Sequence, residues 1–581
     1  MSMTPSAYLL GNSIRSLKSR LGCKTCKIRR VKCGEEKPNC VRCTSTGRKC
    51  EYEATVSTMS SPPDGSLALS PNTTWRERRA FAFYFQSAAQ SLGGELDVSF
   101  WRTTVPQVCR NEPAVWDAII SIGALFESPE PCPHLVVRHR DGPRSLNQNH
   151  RDALGWYSRA VSTVRQRIER GGVDIFIGLI SCILFICIEA LQGGVDEAVR
   201  LYGQGVHLIF ALRAQIACGV LPAAKAPLLE DTVVPIFARL GVIAFTTAGI
   251  PGSDILRGPG SDLAGTREFG SLKSAREAMI YLTTEAQLFE RACGDHLRDS
   301  FPSHVPPEVV HQQMVLSARL DSWHAAYTRL VESLCAKDAL TPHQIATNAI
   351  LLSHYEMLFV LLAVCVTSSQ IITDSYLPNF QNVIDQCRVA LDASMRADST
   401  QLPYTFDIDV GFPLWFTSLR CREPRIRRMA LALLRRAPRV QGFYNSSLGV
   451  DMAEAIMTLE ETYGMAMNGA VDVTIPGGST QLPPLIEHQP LDRDSMDDAG
   501  SLVVSPDWKT HPSRLIPEEA RIMPAGVFRR QNGLLPPGMN EEEVARWSQS
   551  SDQTFLRILR KEHDRTTDTW NVIHEYLPID R

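Results

Sequence analysis

Long apolar runs are scarce in this chain of 581 residues. The most apolar, residues 175–188, would rise about 21 Å as a helix, short of the roughly 30 Å needed to cross the hydrocarbon layer of a membrane. Two cysteines, Gly178 and Ser181 within it suit a buried helix, so no membrane partner is expected. The first ten residues contain Ser and Pro and have neither a basic start nor an apolar run. That reads as no secretory leader and places the chain in a reducing compartment. The glycosylation sequons at Asn72 and Asn445 are then chance matches. Also missing are G-x4-G-K-[ST], G-x-G-x-x-G after a strand, H-E-x-x-H and G-x-S-x-G, the signatures of common nucleotide-binding, zinc-hydrolase and serine-hydrolase sites. No catalytic residue is expected.

What is present is unevenly distributed. Hydrophobic residues make up 44% and charged residues 21%, as in a globular chain with room for several domains. The formal net charge of −3 hides a block from Arg15 to Cys50 with 12 Lys or Arg against only Glu35 and Glu36. Six of the 16 cysteines fall in the same block: Cys23, Cys26, Cys33, Cys40, Cys43 and Cys50. Their spacing repeats C-x2-C-x6-C twice, which implies a small site with pseudo-twofold symmetry. Zinc takes four tetrahedral thiolates, and a Cys-x2-Cys pair chelates from one turn of chain. Two separate tetrahedra would need eight sulfurs, so six can hold two zincs only if two bridge. Symmetry nominates the first cysteine of each repeat, Cys23 and Cys40. A disulfide knot or a chance cluster is the alternative, and regular spacing, neighbouring cations and compartment all weigh against it. With few apolar residues between Gly22 and Tyr52, metal binding should supply the folding free energy, on the order of 10 kcal/mol. A closed thiolate shell leaves no open position, so the two zincs are expected to be structural.

The first spacer, Lys27-Ile-Arg-Arg-Val-Lys32, lacks Gly and Pro and can form a short cationic helix. Such a helix suits a major groove about 12 Å wide, where Arg reads guanine bidentately. Cys23-Lys-Thr-Cys-Lys-Ile-Arg-Arg-Val-Lys-Cys33, followed by Lys37-Pro-Asn-Cys40, Cys43 and Cys50, resembles the fungal Zn2Cys6 binuclear-cluster transcription factors. The resemblance puts Arg30 at the family's base-contacting position, with Arg29 beside it, Lys32 at a phosphate-contacting position and Pro38 at the turn between the halves. Lys27, Arg29, Arg30 and Lys32 are the candidate DNA-binding residues. The second spacer, Thr44–Lys49, contains Gly47 and fewer cations, and is expected to touch backbone if anything.

The chain is expected to divide into a basic arm (1–22), the Zn2Cys6 domain (23–50), a Ser/Thr/Pro-rich linker (51–74), a helical body (75–470), a Pro-rich acidic region (471–540) and a C-terminal helix (541–581). The fold class is thus a small binuclear-cluster domain followed by a large all-α regulatory domain. In the body, Glu77-Arg-Arg-Ala-Phe81, Ala124 with Glu127, and Leu184–Leu191 before Gln192-Gly193 resemble the regulatory middle domain of the same family. Cys182 and Cys187 read as small buried hydrophobes, His207 and His354 as core-edge or surface residues, and the arginines of 425–439 as a solvated helix face. Residues 485–508 interleave six acids and one Arg with apolar side chains, a composition that can contact transcription machinery. The C-terminal helix is expected to bury Val544, Trp547, Leu556 and Leu559. No heptad appears in the linker, so a zipper is unsupported and a homodimer stays open.

The expected function is that of a nuclear, sequence-specific DNA-binding factor. The resemblance implies regulation of RNA polymerase II genes, as an activator of a metabolic pathway or gene cluster. The rivals are an enzyme with a helical body, and an interaction protein, either one tethered by a structural zinc module.

Overall fold

The computed structural model describes residues 23–29, 31, 33–34, 39–50, 73–94, 96–129, 147–171, 174–220, 226–248, 268–299, 305–396, 399–467, 516–529, 554–564, 566–567 and 569–578. Arg30, Lys32, Pro38, Val544, Trp547 and the acidic segment 485–508 lie outside them, as does nearly all of the linker. Two units separate, Met1–Ser70 and Pro71–Arg581.

In the first unit, α1 (Lys24–Ile28) and α2 (Val41–Thr44) each begin one residue after the first cysteine of a repeat. The second unit is mostly helical, as its periodicity predicts. Helix α3 (Trp75–Phe83) starts at a capping box in which the Thr74 hydroxyl accepts from the Glu77 amide and the Glu77 carboxylate accepts from the Thr74 amide. It packs on α4 (Pro113–Glu127), which opens with Pro113 in its first turn. The helices approach so closely at Gly123 that a Cβ there would stand 2.2 Å from the Ala80 carbonyl oxygen.

Helices α5 (Gln148–Glu169), α6 (Ile175–Gln192) and α7 (Val195–Ala217) continue the layer. The expected buried helix is α6, in which thirteen of eighteen side chains are buried. Asp174 caps its start and Gly193, at φ 86°, ends it in the left-handed conformation that favours glycine. It runs to Gln192, beyond the expected apolar stretch, so α6 is long and apolar enough to span a membrane, as is α11 below; here both contribute to the interior. Cys182 and Cys187 are buried within α6, and burial raises both thiols, as small core residues require.

The longer helices that follow are α8 (Val234–Ala248), α9 (Leu272–Asp299), α10 (Pro307–Lys337), α11 (Pro342–Val364), α12 (Leu377–Ala393), α13 (Gly411–Arg420), α14 (Pro424–Arg436) and α15 (Ser446–Met467). One apolar cluster joins α9, α10, α11 and Phe380 of α12 around Trp323 and Met357; a second joins α12 to α15 around Leu414, Leu434 and Ile456.

Three sequence expectations are corrected. The C-terminal helix is absent from the described part of 541–581. Instead β5 (Thr554–Asp564) and β6 (Thr569–Pro578) form an antiparallel sheet with β4 (Ile522–Arg529), in the order β4-β5-β6. Leu556 and Leu559 are buried as expected, but on a strand that also buries Phe555 and Ile558. A short run buried on both faces does not reveal its period, and the β-branched and aromatic residues of β6 supply its pairing partner. A second small sheet is made by β1 (Tyr404–Thr405), β2 (Val440–Gln441) and β3 (Tyr444–Asn445). His354 is not at the core edge. It is 1% exposed, with Nε2 3.1 Å from the Asp409 carbonyl oxygen, and burial lowers its pKa to about 4, keeping it neutral.

The third correction concerns one arginine of 425–439. Arg425, Arg428, Arg435 and Arg436 form the expected exposed face, the last three ion-paired to Glu461, Glu454 and Asp392, while Arg427 is wholly buried. Glu460 lies between it and Arg422, 2.7 Å and 2.9 Å away, and also accepts the Ile522 amide at 2.7 Å. Burial alone would raise the Glu460 pKa, but the two guanidiniums hold it below the ordinary value. Removing one partner from a buried ion cluster leaves an uncompensated charge. Glu460→Ala should therefore lower unfolding stability by about 3–5 kcal/mol in a denaturant titration. Glu461→Ala, which breaks only the exposed pair with Arg428, should cost less than about 1 kcal/mol.

Candidate metal centre and nucleic-acid interface

The sulfurs of Cys23, Cys26, Cys40 and Cys43 lie within 4.8 Å of one another and are buried. The separations are 3.8 Å for Cys23 to Cys40, 3.7 Å for Cys23 to Cys43, 3.7 Å for Cys26 to Cys40 and 3.8 Å for Cys26 to Cys43. Zn–S bonds of about 2.3 Å at tetrahedral angles require S···S edges of about 3.8 Å. The four separations are thus those of neighbouring thiolates around zinc, and the donor chemistry suits that metal.

Cys33 and Cys50 join in matched ways. The Cys23 amide donates to Cys33 Sγ and the Cys40 amide to Cys50 Sγ, each at 3.3 Å and each across ten residues. The Cys33 thiol faces Cys26 and Cys40, and the Cys50 thiol faces Cys23, Cys40 and Cys43. Cys26 and Cys43 also approach each other at 3.8 Å, so the six cysteines form one cluster. Burial opposes ionisation of Cys23 and Cys40. Hydrogen bonds from the Cys26 and Cys43 amides and from neighbouring thiols nonetheless bring both below the ordinary cysteine value, Cys40 to about 6. Residues 21–58 are a fungal Zn(2)-Cys(6) binuclear cluster domain. Its cofactor is a pair of structural zinc ions.

This zinc-cluster domain presents cations around the sulfurs. Lys24, Arg42, Arg48 and Lys49 are exposed and Arg29 is half-buried. The backbone of Lys27 lies in α1, while Arg30 and Lys32, the expected base and phosphate contacts, are outside the described residues. The two halves are tied by Thr25, whose hydroxyl donates to the Lys49 carbonyl at 2.9 Å, and by Arg29, whose Nη1 donates to the Thr46 hydroxyl at 3.2 Å. Thr46 is a contact that the sequence reading missed; a threonine in a short polar spacer gives no signal of its own.

In the other unit, the segments that resemble a regulatory middle domain come together. Arg79 pairs with Glu127 at 2.5 Å, and Arg159 bridges Glu77 at 2.8 Å and Asp117 at 2.6 Å. A cavity lined by Leu125, His150, Leu191 and Arg439 among others has room for about one water at most.

The relatives are regulators by name. The chain is 28% identical over 281 residues to the aspercryptin biosynthesis cluster-specific transcription regulator atnN of Emericella nidulans, covering 41% of this chain and 42% of that protein. It is 25% identical over 235 residues to the transcription regulator lscL of Purpureocillium lilacinum, covering 36% and 55%. Over 42 residues it is 48% identical to the lysine biosynthesis regulatory protein LYS14 of Saccharomyces cerevisiae, covering 7% and 5%. The chain thus spans about half or less of the length of these curated relatives. No solved structure matches it at a significant level.

The expected bridging role of Cys40 predicts unequal effects of cysteine replacement. Cys40→Ala should release both zincs, whereas Cys33→Ala should retain about one per chain, as read by metal content after gel filtration.

Proposed function

We propose that the chain is a sequence-specific DNA-binding transcription regulator, acting on RNA polymerase II promoters as an activator of one metabolic pathway or gene cluster. The observation that carries this reading is the rigid sulfur cluster with a cationic helix beginning at its first cysteine. Cys23 and Cys40 would bridge the two zincs, and Cys26 with Cys33 and Cys43 with Cys50 would complete their shells. The metal supplies the folding free energy of the domain. The chain's own cations do the recognition.

In this reading α1 enters the major groove. Arg30 reads a base edge with Arg29 beside it, while Lys27 and Lys32 hold phosphates. The block of 12 Lys and Arg from Arg15 to Cys50 supplies the non-specific attraction that brings the domain to DNA. The helical body regulates rather than catalyses, in keeping with relatives named as transcription regulators. The protein acts in the nucleus, and the acidic segment 485–508 contacts transcription machinery.

Three measurements test this. Arg30→Ala should keep zinc content and lose site selectivity in a binding-site selection, and recovery of the same motif would remove Arg30 as the reader. Binding of the full chain should weaken steeply as salt rises, because counterions are released on phosphate contact. Fusion of residues 485–508 to an unrelated DNA-binding domain should raise reporter expression; no gain would reject the activating role of that segment.

A further inference from the structure

Arg29 is held by the other half of the zinc-cluster domain, and by an unusual kind of partner for a cation. Its Nη1 donates to Thr46 Oγ1 at 3.2 Å. That hydroxyl has already committed its proton, donating to the Arg42 carbonyl at 2.8 Å, with the Cys43 carbonyl 3.2 Å away. A hydroxyl has one proton and two lone pairs, so fixing the proton aims the lone pairs. The Thr46 backbone is itself fixed, because it sits in the turn after α2. Its amide donates to the Cys43 carbonyl, the Arg48 amide donates to the same carbonyl, and Gly47 takes φ 61° to close the turn. The acceptor for Arg29 is thereby referenced to the metal-bound Cys43 and not to a mobile side chain.

Had the partner been Asp or Glu, the guanidinium would have been oriented and neutralised together, and a neutralised arginine gains little from a phosphate or a guanine edge. A neutral hydroxyl directs the side chain and leaves its charge and remaining donors available.

We propose that Thr46 is a positioning residue for DNA recognition: its hydroxyl, aimed by the Arg42 carbonyl, fixes the direction in which Arg29 presents its guanidinium. The inference rests on the DNA-binding reading above. It gives the second spacer a part in specificity without a DNA contact of its own. Because the relay runs from the second cysteine repeat to the helix of the first, direction is set across the pseudo-twofold axis.

The test uses the full, zinc-loaded chain and a duplex carrying the site obtained by selection, with a scrambled duplex of equal length. Thr46→Val keeps the shape and the charge balance and removes the hydroxyl. It should reduce the ratio of specific to scrambled affinity by two- to tenfold, with two zincs retained and the slope of affinity against salt unchanged. Thr46→Ser should restore the wild-type ratio. A Thr46→Val protein with the wild-type ratio would overturn the proposal. So would an equal loss on both duplexes, since that is the mark of a merely structural role. Failure of the wild-type chain to prefer any site would instead overturn the DNA-binding reading on which the proposal stands.

Discussion

Attraction between sulfur and metal takes the place of a hydrophobic core in residues 23–50. Among the described residues of that unit the only buried apolar cluster is its cysteines, while Ile28 and Val41 are 73% and 61% exposed. A segment of this length with its large apolar side chains outward cannot offset its backbone entropy by burial. Order must come from the six sulfurs, and everything the unit presents depends on them. The matched amide-to-sulfur contacts of Cys33 and Cys50 close each repeat on itself, and sulfur contacts such as Cys23 to Cys40 and Cys26 to Cys43 join the two repeats.

The larger unit solves the opposite problem. It has apolar surface in quantity, and its specificity of assembly comes from charges placed inside it. Asp97 receives Arg239 at 2.6 Å and Arg276 at 3.0 Å, all three almost fully buried, and these guanidiniums, outweighing the effect of burial, hold its carboxyl at about 2. Such clusters add little net stability over a well-packed apolar core, but they penalise a helix that docks in the wrong register. Gly123 against Ala80 and Gly205 against the Phe237 ring act likewise at the level of shape, since a side chain at either position would overlap its neighbour.

The sequence made the metal centre legible because zinc imposes a spacing, and spacing survives in one dimension. The repeat picked out all six cysteines, which the fold brings into one cluster, and its symmetry nominated Cys23 and Cys40 as the bridges. Helix α6 was legible for a similar reason, with an acidic cap, an apolar run and a glycine stop in order. Arg427 and His354 were not, because a buried charge and an exposed one are spelled alike; only the arrival of Glu460 from another helix, or of the Asp409 carbonyl from a loop, distinguishes them. The strands β5 and β6 were missed because pairing is a property of two segments, and residues 554–564 alone fit either period.

The anchoring of residues 516–522 has a consequence for how the gene product tolerates shortening. Glu518 accepts the amides of Gln370 and Ile371 and faces Lys561, while Arg521 sits 1% exposed with Asp374 and the Gln370 carbonyl as partners. A chain ending before residue 516 would lose these partners together and expose the amides and the carboxylate they cover. Nonsense alleles in the acidic region should therefore behave as folding-defective and be cleared by quality control. They would not act as simple tail deletions, even though the missing residues lie far in sequence from the zinc cluster.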